Sequence, residues 1–152
     1  MKVENSNIVI TGAGSGIGYS LAEQLASLGA NLALIDLREE RIKALAKNLE
    51  LDSITISTHC ADVSDPDSMQ AIATEVLSRH NHVDILINNA GVTLWGYFEE
   101  NTLDDFQWLF NINFFGAVSY THIRAHETRE DRGRRGLRVK KKWGGGGGGG
   151  GG

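Results

Sequence analysis

The chain has 152 residues, 41% of them hydrophobic and 22% charged, with 15 Lys or Arg against 19 Asp or Glu and a formal net charge of −4. That length predicts one domain, large enough to bury roughly 70% of its unfolded surface. No apolar stretch approaches the roughly 20 residues that span a membrane, Met1 to Asn7 lacks a signal-peptide pattern, and the single cysteine, Cys60, has no internal disulfide partner, which fits a reducing cytoplasm.

The average hides two compositions. Met1 to Ala117 holds 16 acidic and 6 basic residues, net −10; Val118 to Gly152 holds 3 acidic and 9 basic, net +6, and the two give the −4 of the whole. Residues 1–117 carry periodic apolar patterns. Residues 118–152 are basic and end in an unbroken glycine run, and disorder is expected there.

In chain order, Ile8-Val9-Ile10 predicts a short buried first strand. Thr11-Gly12-Ala13-Gly14-Ser15-Gly16-Ile17-Gly18 follows, and a helical pattern opens near Gly16. Strand, glycine turn and helix together make a site for a dinucleotide pyrophosphate. The glycines allow a sharp turn and close approach, and the helix start offers free N–H groups and roughly half a positive charge. A glycine-rich turn without a ligand is the alternative. The helix is expected to bury a stripe of Ile17, Leu21, Leu25 and Leu28 and to end at Gly29.

Asn31 to Asp36 predicts a second strand, covered on both faces as parallel strands are. Asp36 closes it at about the interval, ~20 residues past the glycines, where an acidic side chain accepts hydrogen bonds from an adenosine ribose. A carboxylate there repels the extra phosphate of NADP, so NAD is the expected cofactor. Arg38, two residues on, keeps NADP possible, and a solvated helix cap is the alternative role for Asp36.

Arg38 to Leu49 predicts a helix with Ile42, Leu45 and Leu49 on its apolar side. Ile54 to Ala61 predicts a third strand, with Cys60 packed in it, leading to Asp62-Val63. Ser64-Asp65-Pro66-Asp67 signals a helix start, and the helix is expected to reach His80, burying Met69, Ile72, Ala73, Val76 and Leu77. Val83 to Ile87 predicts a fourth strand running into Asn88-Asn89-Ala90-Gly91, where Gly91 permits close backbone approach and the amides can bond across neighbouring strands. The loop that follows, with Trp95, Tyr97 and Phe98, packs on the sheet or, as the resemblance described below implies, borders a substrate pocket. Thr102-Leu103-Asp104-Asp105 matches a capping box, opening a helix with Phe106, Leu109, Phe110, Ile112, Phe114 and Phe115, more apolar surface than one covered face needs. The expected fold is α/β, a Rossmann-like doubly wound parallel sheet in the order 3-2-1-4 with helices on both faces, truncated before a fifth strand.

The spacing T-G-x-x-x-G-x-G from Thr11 to Gly18, the N-N-A-G run at Asn88 to Gly91 and N-x-N-x-x-G at Asn111 to Gly116 together resemble the short-chain dehydrogenase/reductase family, over Ile8 to about Ala117. The resemblance implies that Gly12, Gly16 and Gly18 shape the turn, and that Ser15 and Ile17 lie near the phosphates and nicotinamide. Leu37 stands where NADP-preferring relatives often carry a basic residue. Asp62 and Val63 would lie beside the adenine, and Asn89, Ala90 and Gly91 along the cofactor. Asn113 would join the catalytic group, acting through its backbone and a water to support an active lysine. It further implies hydride transfer between nicotinamide and a small-molecule alcohol or carbonyl substrate, and a parent homodimer or homotetramer built on the aromatic helix. No metal, nucleic-acid or membrane partner is expected.

The family's serine-ended fifth strand and Tyr-x-x-x-Lys helix do not follow Asn113. Tyr120 and Arg124 mimic the spacing too soon after it, with no strand between. Val118 to Thr128 resembles a translated sequencing-library adapter, and Lys140-Lys141-Lys142-Trp143 before nine glycines is what a run of A followed by a run of G encodes. A natural Arg/Gly-rich arm is the alternative. The chain as written is therefore expected to be a catalytically silent part of a dehydrogenase, the other possibility being a dinucleotide-binding module without catalysis.

Overall fold

The computed structural model describes residues 2–49, 53–95, 97, 99 and 101–115. Four parallel strands, β1 (Asn7–Thr11), β2 (Asn31–Asp36), β3 (Ile56–Cys60) and β4 (Ile85–Asn88), form one sheet in the order β3-β2-β1-β4, the order expected from the sequence. The register sets Ile8 beside Leu32 and Ile85, and Leu34 beside Thr58. No fifth strand lies among the described residues. The expected disordered tail from Val118 and the Tyr120–Arg124 pair lie outside them.

Alternation along β1 and β2 divides the core. Ile8, Ile10, Leu32 and Leu34 face α1 (Gly16–Ser27) and α2 (Glu39–Asn48), which close over them with Ala22, Ala26, Ile42 and Leu45. Val9, Ala33 and Ile35 face the other way and meet Met69, Ile72 and Val76 of α3 (Pro66–His80). Helices therefore cover both faces, and every residue of β1 is buried.

Two packing expectations fail, for definable reasons. α1 buries Gly18, Ala22 and Ala26, whereas Ile17 and Leu28 are 73% and 58% exposed. Small side chains let the helix axis lie close to the sheet, so the large residues are turned to the flanks and the rim. Gly29 does end α1, with φ +78°. Cys60, expected to be packed, is exposed. The pleat of β3 turns Ser57 and His59 inward instead, and Cys60 lies on the opposite face.

Helix starts differ. Asp65 caps α3 by accepting from the Asp67 N–H at 3.2 Å, with Pro66 in the first turn. α4 (Leu103–Phe110) has the full capping box: Thr102 Oγ1 accepts from the Asp105 N–H, and Asp105 Oδ2 accepts from the Thr102 N–H. The helical pattern does not continue regularly as expected, because Asn111–Phe115 widens into a π-helical turn. Trp95 is 95% exposed and Tyr97 is exposed, which excludes sheet packing for both; Phe98 lies outside the described residues.

Candidate functional site

The carboxyl ends of the strands open onto a cleft of about 550 Å³. Its floor is the turn between β1 and α1. Gly12 has φ +66° and Gly16 φ +54°, a region that costs side-chain-bearing residues energy. Crowding adds a second constraint. A Cβ on Gly12 would sit 2.8 Å from the Ala90 Cα, and one on Gly18 would run into the Gly12 carbonyl oxygen. Gly16 has open space around it, so its constraint is backbone conformation alone.

Above this floor the start of α1 is bare. Ser15, at the N-cap, makes no side-chain capping bond, and no acidic residue occupies the first turn. Unpaired N–H groups and the positive end of the helix dipole collect there. Ser15 and Ile17 line the cleft beside it.

Asp36 forms the next wall. It is 6% exposed. Its Oδ2 accepts from the Gly14 N–H at 2.8 Å and its Oδ1 from the Arg38 N–H at 3.0 Å. The cap of α2 is Arg38, so Asp36 is not a solvated helix cap. Arg38 reaches back over the turn, with Nε 3.6 Å from Asp36 Oδ1 and Nη2 donating to Ser15 Oγ at 3.1 Å. A carboxylate offers about four acceptor sites, so Asp36 keeps capacity beyond these partners. Leu37, exposed, lines the same wall.

Beyond β3, Asp62 and Val63 line the far end of the cleft. Asp62 Oδ1 accepts from both the N–H and the hydroxyl of Ser64, at 2.8 and 2.7 Å, which tightens the turn into α3. On the other side, the Asn89 amide nitrogen donates to the carbonyl oxygens of Thr11 and Gly12, at 3.2 and 3.1 Å. Thr11 Oγ1 in return accepts from the N–H groups of Asn89 and Ala90, both at 3.1 Å. The asparagine thus bonds across strands as its motif suggested.

Asn113 sits in the π-helical turn. Its Nδ2 donates to the Val92 carbonyl and its Oδ1 accepts from the Val92 N–H, both at 2.8 Å. Its side chain is therefore a clamp on the chain leaving β4. A Cβ on Gly91 would lie 3.2 Å from Asn113 Oδ1, so that glycine makes room for the clamp.

Gly12, Ser15, Ile17, Asp36, Leu37, Asp62, Val63, Asn89, Ala90 and Gly91 all line the one cleft. Gly16 and Gly18 shape its turn, and Asn113 stands behind Gly91 and Val92. Sequence reasoning does not mark every contributor: Ala61 and Val92 also line the cleft, and three others act on it. Gly14 donates to Asp36, and a Cβ there would lie 2.9 Å from that carboxylate; its place in the glycine run was the available signal. Thr11 acts through a hydroxyl that looked like a strand end. Ile112, rather than Asn113, reaches the lining. Among the described residues no group of three or more His, Cys, Asp or Glu could hold a metal ion, and no helix is long and apolar enough to cross a membrane.

The same arrangement recurs in known proteins. The chain is 35% identical over 135 residues to 11-beta-hydroxysteroid dehydrogenase B of Sesamum indicum, covering 88% of this chain and 37% of that protein. It is 36% identical over 116 residues to D-threitol dehydrogenase of Mycolicibacterium smegmatis, covering 76% and 45%. A crystal structure of a short-chain dehydrogenase/reductase from Burkholderia phymatum in complex with NAD matches with a TM-score of 0.78 and 33% identity, over 83% of this chain and 45% of that one. The chain thus spans less than half the length of these relatives. The short chain dehydrogenase family model matches residues 6–136, running past the change of composition at Ala117. A glycine-turn cleft at the end of a 3-2-1-4 sheet and a family match over most of the sequence agree: this chain belongs to the short-chain dehydrogenase family.

Proposed function

We propose that this chain is the dinucleotide-binding part of an NAD(P)-dependent oxidoreductase acting on an alcohol or carbonyl substrate. The observation that carries the reading is the bare start of α1 facing a cleft whose next wall is Asp36. The residues fit the cofactor. Glycines 12 and 16 leave an unobstructed turn, N–H donors without a side-chain cap offer partners for a pyrophosphate, and Asp36 supplies an acceptor for ribose hydroxyls. Bound nicotinamide supplies a hydride donor or acceptor. The chain's own residues hold and orient it: Asp36 and Leu37 at the ribose, Asp62 and Val63 at the adenine, Ser15 and Ile17 towards the phosphates and nicotinamide, and Asn89 to Gly91 along the dinucleotide.

NAD is the preferred cofactor on this reading, because Asp36 is already held by two backbone N–H groups and cannot swing away from a 2′-phosphate. NADP requires Arg38 to leave Ser15 and Asp36. The Burkholderia relative's complex with NAD is in keeping with that preference. Asn113, with its side chain committed to Val92, would serve the catalytic group through its backbone. The parent enzyme is proposed to be a cytoplasmic homodimer or homotetramer, in keeping with exposed Trp108, Phe110 and Phe114 on and beyond α4.

The division at Ala117 is also a proposal. It rests on the change in charge and the glycine run, while the family match to residue 136 extends across it. Resequencing the codons for Phe115 to His122 tests it: a continuation into a serine-ended strand and Tyr-x-x-x-Lys establishes the oxidoreductase, and an unchanged reading overturns the adapter interpretation. Calorimetric titration of the chain with NAD, NADH and NADP tests the site. NAD or NADH is expected to bind more tightly than NADP, and the absence of binding by all three overturns the reading. Binding by a correctly sequenced chain that lacks the serine and the Tyr-x-x-x-Lys favours the second reading, a non-catalytic dinucleotide-binding module.

A further inference from the structure

A polar chain lies between β3 and α3, away from the cleft, buried except at its outer end, where the Glu75 side chain is 66% exposed. Glu75 Oε2 is 3.0 Å from His59 Nδ1, His59 Nε2 is 2.9 Å from Ser57 Oγ, and Ser57 Oγ is 2.8 Å from His80 Nε2. Ser57, His59 and His80 are 5–6% exposed. His80 Nδ1 is buried without a hydrogen-bond partner.

The proton positions follow from the donor inventory. An ionised carboxylate only accepts, so Glu75 requires the proton of neutral His59 on Nδ1. His59 Nε2 is then an acceptor and takes the Ser57 hydroxyl proton. Ser57 Oγ accepts in turn from His80 Nε2–H, which leaves His80 Nδ1 as a bare lone pair. Adding a proton there puts the N–H of a charged imidazolium where the described residues offer no acceptor, and an unpaired buried charged group is costlier than an unpaired neutral one.

We propose that Glu75, His59, Ser57 and His80 form an acid-sensitive clasp that holds α3 on the edge strand β3 and opens when one proton is added. Protonating His80 puts an N–H on the orphaned Nδ1. Protonating His59 does the same at one remove: its new Nε2–H points at Ser57, the hydroxyl turns to His80 Nε2, and the His80 proton moves to Nδ1. Either route places a donor where no acceptor exists, and water reaches it only if helix and strand separate.

The charged surroundings agree. His80 is faced by His59 from β3 and by Arg79 on α3, with Glu75 acting through His59. His82 and Asp84, paired at 3.3 Å, lie against Asn7 of β1, whose amide donates to the His80 carbonyl. Burial, then His59, then Arg79 hold the His80 imidazole below its ordinary value of 6.5. The folded state therefore binds its proton later than the unfolded chain does. Stability from this group is complete above pH 6.5 and is lost as the pH falls below it. Between pH 7.5 and 5.0 the opening constant of α3 is expected to rise, by at most about 30-fold, the limit for one histidine that titrates at 6.5 only when open.

Amide hydrogen exchange of the 152-residue chain, corrected for intrinsic rate, tests this at α3 and β3. Protection is expected to fall severalfold, and by no more than about 30-fold, between those pH values, with β1 and β2 much less affected. The His80→Leu chain is expected to lose the acid response, and His82→Gln, an exposed control, to keep it. Equal protection at both pH values, an acid response that survives in His80→Leu, or its loss in His82→Gln overturns the clasp. Histidine side-chain ¹⁵N spectra at pH 7.5 test it without any variant. His59 in its Nδ1–H form and His80 in its Nε2–H form are expected, and the opposite tautomer at either ring overturns it.

Discussion

The two sides of the sheet are built differently. On the β2 side, Leu32, Leu34, Ile35, Ile42 and Leu45 have no measurable exposure, and Asp36 is held from two directions. On the β4 side, Ile85, Leu86 and Ile87 are only half-buried, Asn88 is exposed, and β1 is the one strand neighbour of β4 among the described residues. The same contrast divides the cleft. The wall expected to receive the adenosine is finished in hydrogen bonds and packing, and the wall expected to receive the nicotinamide stands on a half-covered strand and an exposed asparagine clamp. Among the described residues the cleft is thus tightly held at its Asp36 end and only half-covered at its β4 end.

The largest effect that tests this contrast is on turnover. The chain is expected to bind NAD yet show no measurable dehydrogenase or reductase activity on an alcohol or carbonyl panel. No general acid stands in the cleft among the described residues; lacking one alone removes roughly 10²–10⁴-fold, and loss of nicotinamide positioning removes more. Turnover that disappears in Tyr120→Phe would break the contrast, because residues beyond Phe115 would then be completing the reactive side.

Next come the two sides of the core. Leu34→Ala is expected to cost about 2–5 kcal/mol in denaturant unfolding, and Ile87→Ala less than about 2 kcal/mol. Equal costs would show that β4 is as well packed as β2. A smaller effect concerns selectivity. Asp36→Ala is expected to remove about 1.5–3 kcal/mol of NAD preference over NADP, measured as the ratio of dissociation constants. An unmodified chain that already prefers NADP would show that Arg38, not Asp36, governs that wall. The smallest is Thr102→Ala, which removes the α4 capping box on the open side and is expected to cost about 1 kcal/mol. A larger loss would mean that α4 supports more of the β4 side than its exposure indicates.

Much of this was legible in the sequence because it is written in local chemistry. Glycine spacing, Asp65-Pro66, Thr102 to Asp105 and the strand-ending motifs each specify their own neighbourhood, and the strand order follows from βαβ handedness. What was not legible depends on distance between elements. Periodicity marks Ile17 and Leu28 as core, but only the close approach of α1 to the sheet shows that Gly18, Ala22 and Ala26 fill that space. A β-branched strand does not declare which face is inward, so the sequence alone leaves it open that His59 is the buried residue and Cys60 the exposed one. Arg38 reaching Ser15, and Asn113 reaching Val92, are side-chain contacts between segments that no spacing rule connects.

The Asn89 bridge has a consequence for how a ligand enters. Two carbonyl acceptors on the β1 turn and two N–H donors on the β4 extension are joined through Asn89 and Thr11, with Gly12 and Gly18 packed too tightly for a single added methyl. The floor of the cleft is therefore one riveted piece, and the sheet ends cannot part to admit a guest. Adjustment is left to the rim, where Arg38 and Leu37 are exposed. A dinucleotide docking here meets a surface already in its final shape, so little ordering entropy opposes binding. The Arg38–Ser15 contact is exposed and breaks within nanoseconds, so arrival is expected to be limited by encounter alone.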